Sequence, residues 1–176
     1  TENVNIRDLT IQGSPTQTYD SGASCIEMGN VKNGYVDRVA ILNTHGFAVY
    51  FGLFGTAGFT ADGWGIRDCL IRGIGTQCIG CISGRNGQVL DNQILDIQPA
   101  PTAPFGAVMD FEPNEAGAYQ ENLLVCGNTM DGRAAQQGWA GIVMQAVDVP
   151  ASKNNIISDN TCIGADAESL FFAPAD

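Results

Sequence analysis

Lysine is nearly absent from this chain: Lys32 and Lys153 are the two in 176 residues, beside six arginines and a single histidine, His45. Against 19 acidic side chains this gives a formal charge of −11, which argues against nucleic acid as a partner. Long apolar runs are missing too. The longest, Phe47–Phe54, is interrupted by Gly52 and is far too short to span a bilayer, so no membrane partner is expected. Scarce Lys, Glu and Leu beside 22 Gly and 13 Asn argue against a helical bundle. With 44% apolar residues the chain can still bury a core, and its length suits one domain, 1–176. It opens at Thr1 without Met or leader, so a trimmed or processed chain is expected.

Six octets align without gaps: Ile6–Gly13, Val36–Asn43, Ile66–Gly73, Val89–Asp96, Val125–Gly132 and Ile157–Gly164. Position one is always Ile or Val; position six is Ile11, Ile41, Ile71, Ile94, Met130 or Cys162; position eight is Gly, Asn or Asp. Three residues before each octet stands Asn3, Asn33, Gly63, Asn86, Asn122 or Asn154. A second short strand precedes each of the last five octets, starting at Cys25, Ala48, Cys78, Gly106 and Gly141, with a sixth copy from Ser169. Alternation places Ile26, Val49, Ile79, Ala107 and Ile142 in one inward column and Met28, Phe51, Cys81, Met109 and Met144 in the next. Octet starts lie 30, 30, 23, 36 and 32 residues apart, with Asn-Gly or Asp-Gly turns at 33–34, 62–63 and 86–87. This pattern predicts a coil of about six stacked rungs, each strand parallel to its equivalent roughly 4.8 Å away.

The repeat resembles the right-handed parallel β-helix of the pectate-lyase-like superfamily, an all-β solenoid, over nearly the whole chain. Asn92, Asn128 and Asn160 at octet position four match the asparagine ladder at a turn of that family. Leu9, Val39 and Cys69 replace it in the first three rungs, where apolar stacking is expected instead. Helix signals are weak and confined to Pro113–Gln120 and Gly132–Gln137. The Pro-rich stretch 98–104 reads as a loop between rungs, because the repeat resumes at Gly106.

Arg7-Asp8, Asp37-Arg38 and Arg67-Asp68 stack opposite charges between rungs, which reads as a device that fixes register; a metal or substrate role for Asp8 or Asp68 is the competing reading. Asp110 and Glu112 are the candidate catalytic acids. Two residues apart on a strand, they share a face with Cα atoms roughly 6.5–7 Å apart, a spacing compatible with the two carboxyl groups of a glycosidase. Alternation sets Asp110 beside Gln145, with Glu27 and Tyr50 in a neighbouring outward column; these, with Trp64 and Arg85, are the candidate substrate-binding residues. Tyr50, Trp64, Phe111 and Trp139 offer flat rings to a pyranose, with core or loop packing as the alternative for each. The connections 53–63, 112–122 and 146–154 leave one strand column and are expected to wall a groove there.

His45, alone in the corner Asn43–Gly46, reads as a polar filler before a base. Cys25, Cys69, Cys78, Cys81, Cys126 and Cys162 are expected to be reduced apolar fillers. Cys78 and Cys81 are expected to point to opposite faces, Cys25 and Cys78 to lie roughly 9.6 Å apart in one column, and a lone Cys-x-x-Cys is poor zinc evidence. No metal and no cofactor is expected.

The resemblance implies a polysaccharide partner and an extracellular, virion-surface or cell-surface setting. The Asn-Thr-Asp, Asp-Asp, Gly-His-Gly and Arg-Ile-Lys set of polygalacturonases is absent, as are the Arg-Pro-x-x-Arg of pectate lyases and the Asp-Pro-His-Glu of alginate epimerases, so no catalytic residue transfers. The acidic charge disfavours a polyanionic substrate unless cations bridge it or Arg67, Arg72 and Arg85 form a patch. Two expectations follow: a hydrolase or lyase acting on an extracellular polysaccharide, or a non-catalytic glycan-binding or structural shaft. An ice-binding face is disfavoured because Ala40, Leu70 and Gln93 interrupt Thr10, Thr129 and Thr161. The uncapped ends are expected to belong to a section of a longer chain, covered by a flanking domain or a second copy.

Overall fold

In a computed structural model of the chain, the structure describes residues 1–14, 24–44, 46–52, 60–74, 77–97, 106–113, 117–133, 139–145, 152–164 and 170–173. Every described strand pair is parallel, and together the strands wind an all-β solenoid. One wall is a six-stranded sheet built from Ser24–Met28, Phe47–Phe51, Ile79–Cys81, Gly106–Phe111, Trp139–Gln145 and Leu170–Ala173. The octets form the other two walls, joined in one twelve-stranded sheet. In the first two rungs a single strand, Glu2–Gln12 or Lys32–Leu42, runs along both octet walls; later rungs break at the corner between them. Helix is absent among the described residues, and in the expected helical turn Pro113–Gln120 the end forms a strand, Gln120–Glu121, paired with Gly84–Arg85.

The corners explain why such dissimilar loops keep one cross-section. Asn3, Asn33, Asn86, Asn122 and Asn154, three residues before each octet, all have φ between 55° and 57°, and Gly63 completes the column at 66°. A second left-handed column runs through octet position three: Asp8, Arg38, Asp68, Asp91, Gly127 and Asp159. Only Gly, Asn and Asp enter this region readily, which accounts for the sequence bias at both positions. Arg38 is the exception, and its guanidinium is tied to Asp8 by a bidentate pair at 2.8 and 3.0 Å. The asparagine side chains also link successive rungs, Asn33 Nδ2 donating to Asn3 Oδ1 at 3.1 Å and Asn122 Nδ2 to Asn86 Oδ1 at 3.1 Å.

Inside the coil the two predicted octet columns are continuous. Ile6, Val36, Ile66, Val89, Val125 and Ile157 stack in register, as do Ile11, Ile41, Ile71, Ile94, Met130 and Cys162. Their central members are fully buried, and the members in the first and last rungs, Ile6, Ile11, Ile157 and Cys162, are partly buried. At the octet corner Asn128 is completely buried. Its amide donates to Val89 O at 2.9 Å and to Asn160 Oδ1 at 2.8 Å, while its Oδ1 accepts from Asn92 N and Nδ2. The ladder extends one rung further than expected. Asn92 Oδ1 accepts from Cys69 N at 3.0 Å, and Cys69 Sγ accepts from Val39 N at 3.4 Å, so a thiol does part of an amide's work before apolar stacking takes over.

The charge columns stand where the repeat sets them. Arg7, Asp37 and Arg67 are successive partners, and Asp37, 5% exposed, lies 2.6 Å from Arg38 Nη1 and 3.5 Å from Arg67 Nε. The Arg38 hydrogen bonds hold the Asp8 carboxyl below its ordinary range. These surface pairs contribute little singly. The buried amides contribute more, because each lost partner strands a desolvated polar group. Asn128→Ala should therefore lower stability by at least about 2 kcal/mol in urea unfolding, whereas Thr129→Ala, next to it on the outside, should change stability by less than about 1 kcal/mol.

Candidate functional site

The six-stranded wall departs from strict alternation. A single Cys78 carbonyl accepts from both Ala48 N (3.0 Å) and Val49 N (2.9 Å), and Ala48 and Val49 both pack in the main core, as do Cys78 with Ile79 and Val108 with Met109. This bulge-like step turns residues three apart to the same outer face. Phe47 and Tyr50 meet there with ring centroids 4.8 Å apart, Gln77 reaches Asp110, and Ala107 joins Val143 in a small cluster separate from the main core.

Register in the fourth rung differs from the sequence alignment by two residues. Met109, not Ala107, pairs with Ile79 and Ile142, and Phe111, not Met109, faces Met144. Larger side chains thereby fill the core column that alanine would leave short. The shift moves Asp110 out of the Gln145 column: its partners are Gly80 and Val143, in the column that begins Glu27, Tyr50. Glu112 follows Phe111 at the level of Gln145, which follows Met144. Glu27, Tyr50 and Asp110 therefore share one column, with Glu112 at its edge.

Asp110 is half-buried and its two oxygens differ. Oδ2 accepts a hydrogen bond from Gln77 Nε2, while Oδ1 is shut away from solvent with no partner. Burial, reinforced by the charge of Glu112, pushes the Asp110 carboxyl up to about 7, and burial also raises Glu112. No Lys or Arg forms an ion pair with either acid among the described residues. The pair thus holds a proton near neutral pH, the requirement for a general acid.

Three candidate residues are placed differently from expectation. Trp64 is an inward residue, completely buried. Its register partners are Gly34 and Gly87, and a Cβ on Gly84 or Gly87 would lie 2.5 Å from the indole, so these two glycines of the next rung are what let the ring fit inside the coil against Phe51 and Phe111. It cannot stack on a sugar. Tyr50 does face outward but is only 2% exposed, and its ring and that of Phe47 lie across Gly80, which has no side chain to hold them off. Arg85 stands on an octet wall, paired with Asp62 at 2.6 Å and away from the acids' column. Glu27 is exposed at the column's start, and Gln145 closes the strand Trp139–Gln145.

Cys78 and Cys81 both face the core instead of opposite sides, a result of the same bulge, and burial pushes the Cys81 thiol up to about 12. All six cysteines are free. Among the described residues no group of three or more His, Cys, Asp or Glu converges to hold a metal. His45 and the loop tips 53–59, 114–116 and 146–151 lie outside the described residues, as does most of Gly132–Gln137. Gln77 is the site residue that sequence reading missed, since alternation counted from Ile79 gives no sign that it shares a face with Asp110.

A carboxyl whose folded value is raised from 3.8 to about 7 favours folding fully below the lower value and loses that contribution as pH rises through the upper one. Asp110→Asn, which cannot ionise, should therefore gain thermal stability relative to the parent between these two values. The two melting temperatures, compared across the range, should diverge upward for the variant; a constant difference would contradict the buried-carboxyl geometry.

No protein-family model and no curated relative matches the sequence. Among solved structures it is similar to the A-module of the mannuronan C-5 epimerase AlgE4 of Azotobacter vinelandii, with a TM-score of 0.53 and 17% identity. The match covers 97% of this chain and 56% of that one, so this chain spans little more than half the module's length. The parallel walls, the stacked columns and this likeness together give the chain the fold of the pectate-lyase-like right-handed parallel β-helices.

Proposed function

We propose that the chain is a carbohydrate-active β-helix domain that hydrolyses a glycosidic bond in an extracellular polysaccharide. Asp110 is the general acid and Glu112 the carboxylate that attacks or activates water. The observation that carries this reading is the partly buried Asp110 carboxyl, raised to about 7 beside Glu112 on the outer face of the six-stranded wall. A neutral or weakly charged glycan suits the site, because neither acid has a cationic partner among the described residues and the chain carries −11. A lyase acting on a uronate would need positive charge to stabilise the carbanion formed next to the sugar carboxylate. The structural neighbour is by its name a mannuronan epimerase, which supports polysaccharide as the substrate class without choosing the reaction.

A non-catalytic glycan-binding or structural module is the second reading. It is favoured by the burial of the site's surroundings, where Phe47, Tyr50, Ala107 and Val143 are at most 5% exposed. Incubation with a panel of neutral and acidic polysaccharides, following reducing ends and unsaturated-uronate absorbance, separates the readings. Hydrolysis predicts new reducing ends without unsaturated product, falling at least about a hundredfold in Asp110→Asn and Glu112→Gln. Turnover of no glycan, with glycan binding retained, supports the module. Unsaturated product supports the lyase.

A further inference from the structure

We propose that the first octet rung of one copy of this chain docks on the last octet rung of a second copy, continuing the coil head to tail. The joint makes no use of Asp110 or Glu112. Among the described residues Glu2–Gln12 pairs only with Lys32–Leu42, and Ser152–Lys153, Ile156–Ser158 and Thr161–Ile163 pair only with the rung before them. Ser24–Met28 and Leu170–Ala173 are likewise the edge strands of the six-stranded wall. Each presents a row of unpaired backbone groups to another strand. The edges at the two ends are opposite sides of the same parallel ladders, so one continues the other without a change of strand direction.

Side chains select the partner and the register. One outward column of the octet wall alternates in sign at every rung: Glu2, Lys32, Asp62, Arg85, Glu121 and Lys153 are successive register partners. Lys32 lies 3.7 Å from Glu2, Arg85 2.6 Å from Asp62 and Lys153 3.1 Å from Glu121. The column begins on an acid and closes on a base, so Glu2 of a second copy set on Lys153 keeps the alternation unbroken. The next column has a direction too. Asn33 donates to Asn3, Asn122 to Asn86 and Asn154 to Asn122, each time from the later rung to Oδ1 of the earlier one. Asn154 Oδ1 is then the next acceptor, and Asn3 Nδ2 of the second copy the next donor. Inside, partly buried Ile6 and Ile11 fall on partly buried Ile157 and Cys162, and Ile26 falls on exposed Leu170. Two columns match less well. Leu9 meets Asn160, so the amide ladder stops at the joint, and Asp8 meets Asp159, with Arg7 3.9 Å from Asp8 as the nearest offset. An exposed ion pair adds little affinity. It sets register and polarity, while the apolar columns and the backbone ladder hold the copies together. The charge of −11 opposes association at low ionic strength, but at about 0.15 M salt charges more than about 8 Å apart are screened and the contact pair much less. Such a joint is heterologous and does not close, so copies add in a line.

Small-angle X-ray scattering over a concentration series at about 0.15 M salt tests this. Particles should lengthen at constant cross-section in steps of about 29 Å, the height of six rungs at about 4.8 Å each. A cross-section that grows with concentration, as in side-by-side pairing, overturns the proposal, and so does a monomer that persists to about 1 mM. Glu2→Lys and Lys153→Glu, each with the parent's circular dichroism, should each weaken self-association at least about tenfold, because like charges then meet at the joint. Mixed in equal amounts, the two variants should lengthen again, since every last rung then finds a first rung of opposite sign. Association unchanged in both variants, or no recovery on mixing, overturns the head-to-tail joint.

Discussion

Left-handed backbone at fixed points of every rung is the constraint from which the rest of this molecule follows. A strand that must turn sharply without a loop needs a residue of positive φ, and the chain supplies one three residues before each octet and another at octet position three. Because these corners recur at the same angular positions, octets whose starts lie 23 to 36 residues apart still stack strand on strand. The apolar columns can then fill the interior. Asn128 and its neighbours in the ladder satisfy the backbone groups that the corner leaves buried, which is why polar side chains are buried beside an otherwise apolar core.

The candidate site arises where this regularity is broken. On the six-stranded wall the bulge-like step sends residues three apart to the outside, and Gly80 leaves a gap in the outward column. Phe47 and Tyr50 settle into that gap from one side, and Asp110 leans toward Gln77 from the other. The carboxyl is consequently set among buried apolar groups without a cation, the setting that keeps an acid protonated near neutrality. A strictly alternating wall would have left Asp110 solvated and ordinary.

Much of the fold was legible because it is periodic. Octet positions one and six, the asparagines at position four and the opposed charges at positions two and three each repeat along the sequence, and each occupies the place in the coil that its repetition implied. Trp64 was legible in principle: it stands two residues before an octet, where Gly34 and Gly87 are its equivalents, so the same alternation that places Ile66 inside also places Trp64 inside. Reading the aromatic as a sugar platform overlooked the glycines opposite. The fourth rung was harder, since Gly106-Ala-Val-Met fits either of two registers two residues apart, and only the volume to be filled favours Met109 and Phe111. Gln77 carried no repeat signal at all, because a bulge leaves no mark in an apolar pattern.

Parallel, in-register stacking of equivalent positions holds this fold together, and proton NMR with methyl labelling tests it most directly. Contacts between side-chain methyls should run in unbroken order from Ile41 to Ile71 to Ile94 to Met130, accompanied by contacts from Ile66 to Val89 and from Val89 to Val125. Close Hα–Hα contacts of antiparallel pairs, or a column that skips from Ile71 to Met130, would contradict the stacking and everything built on it.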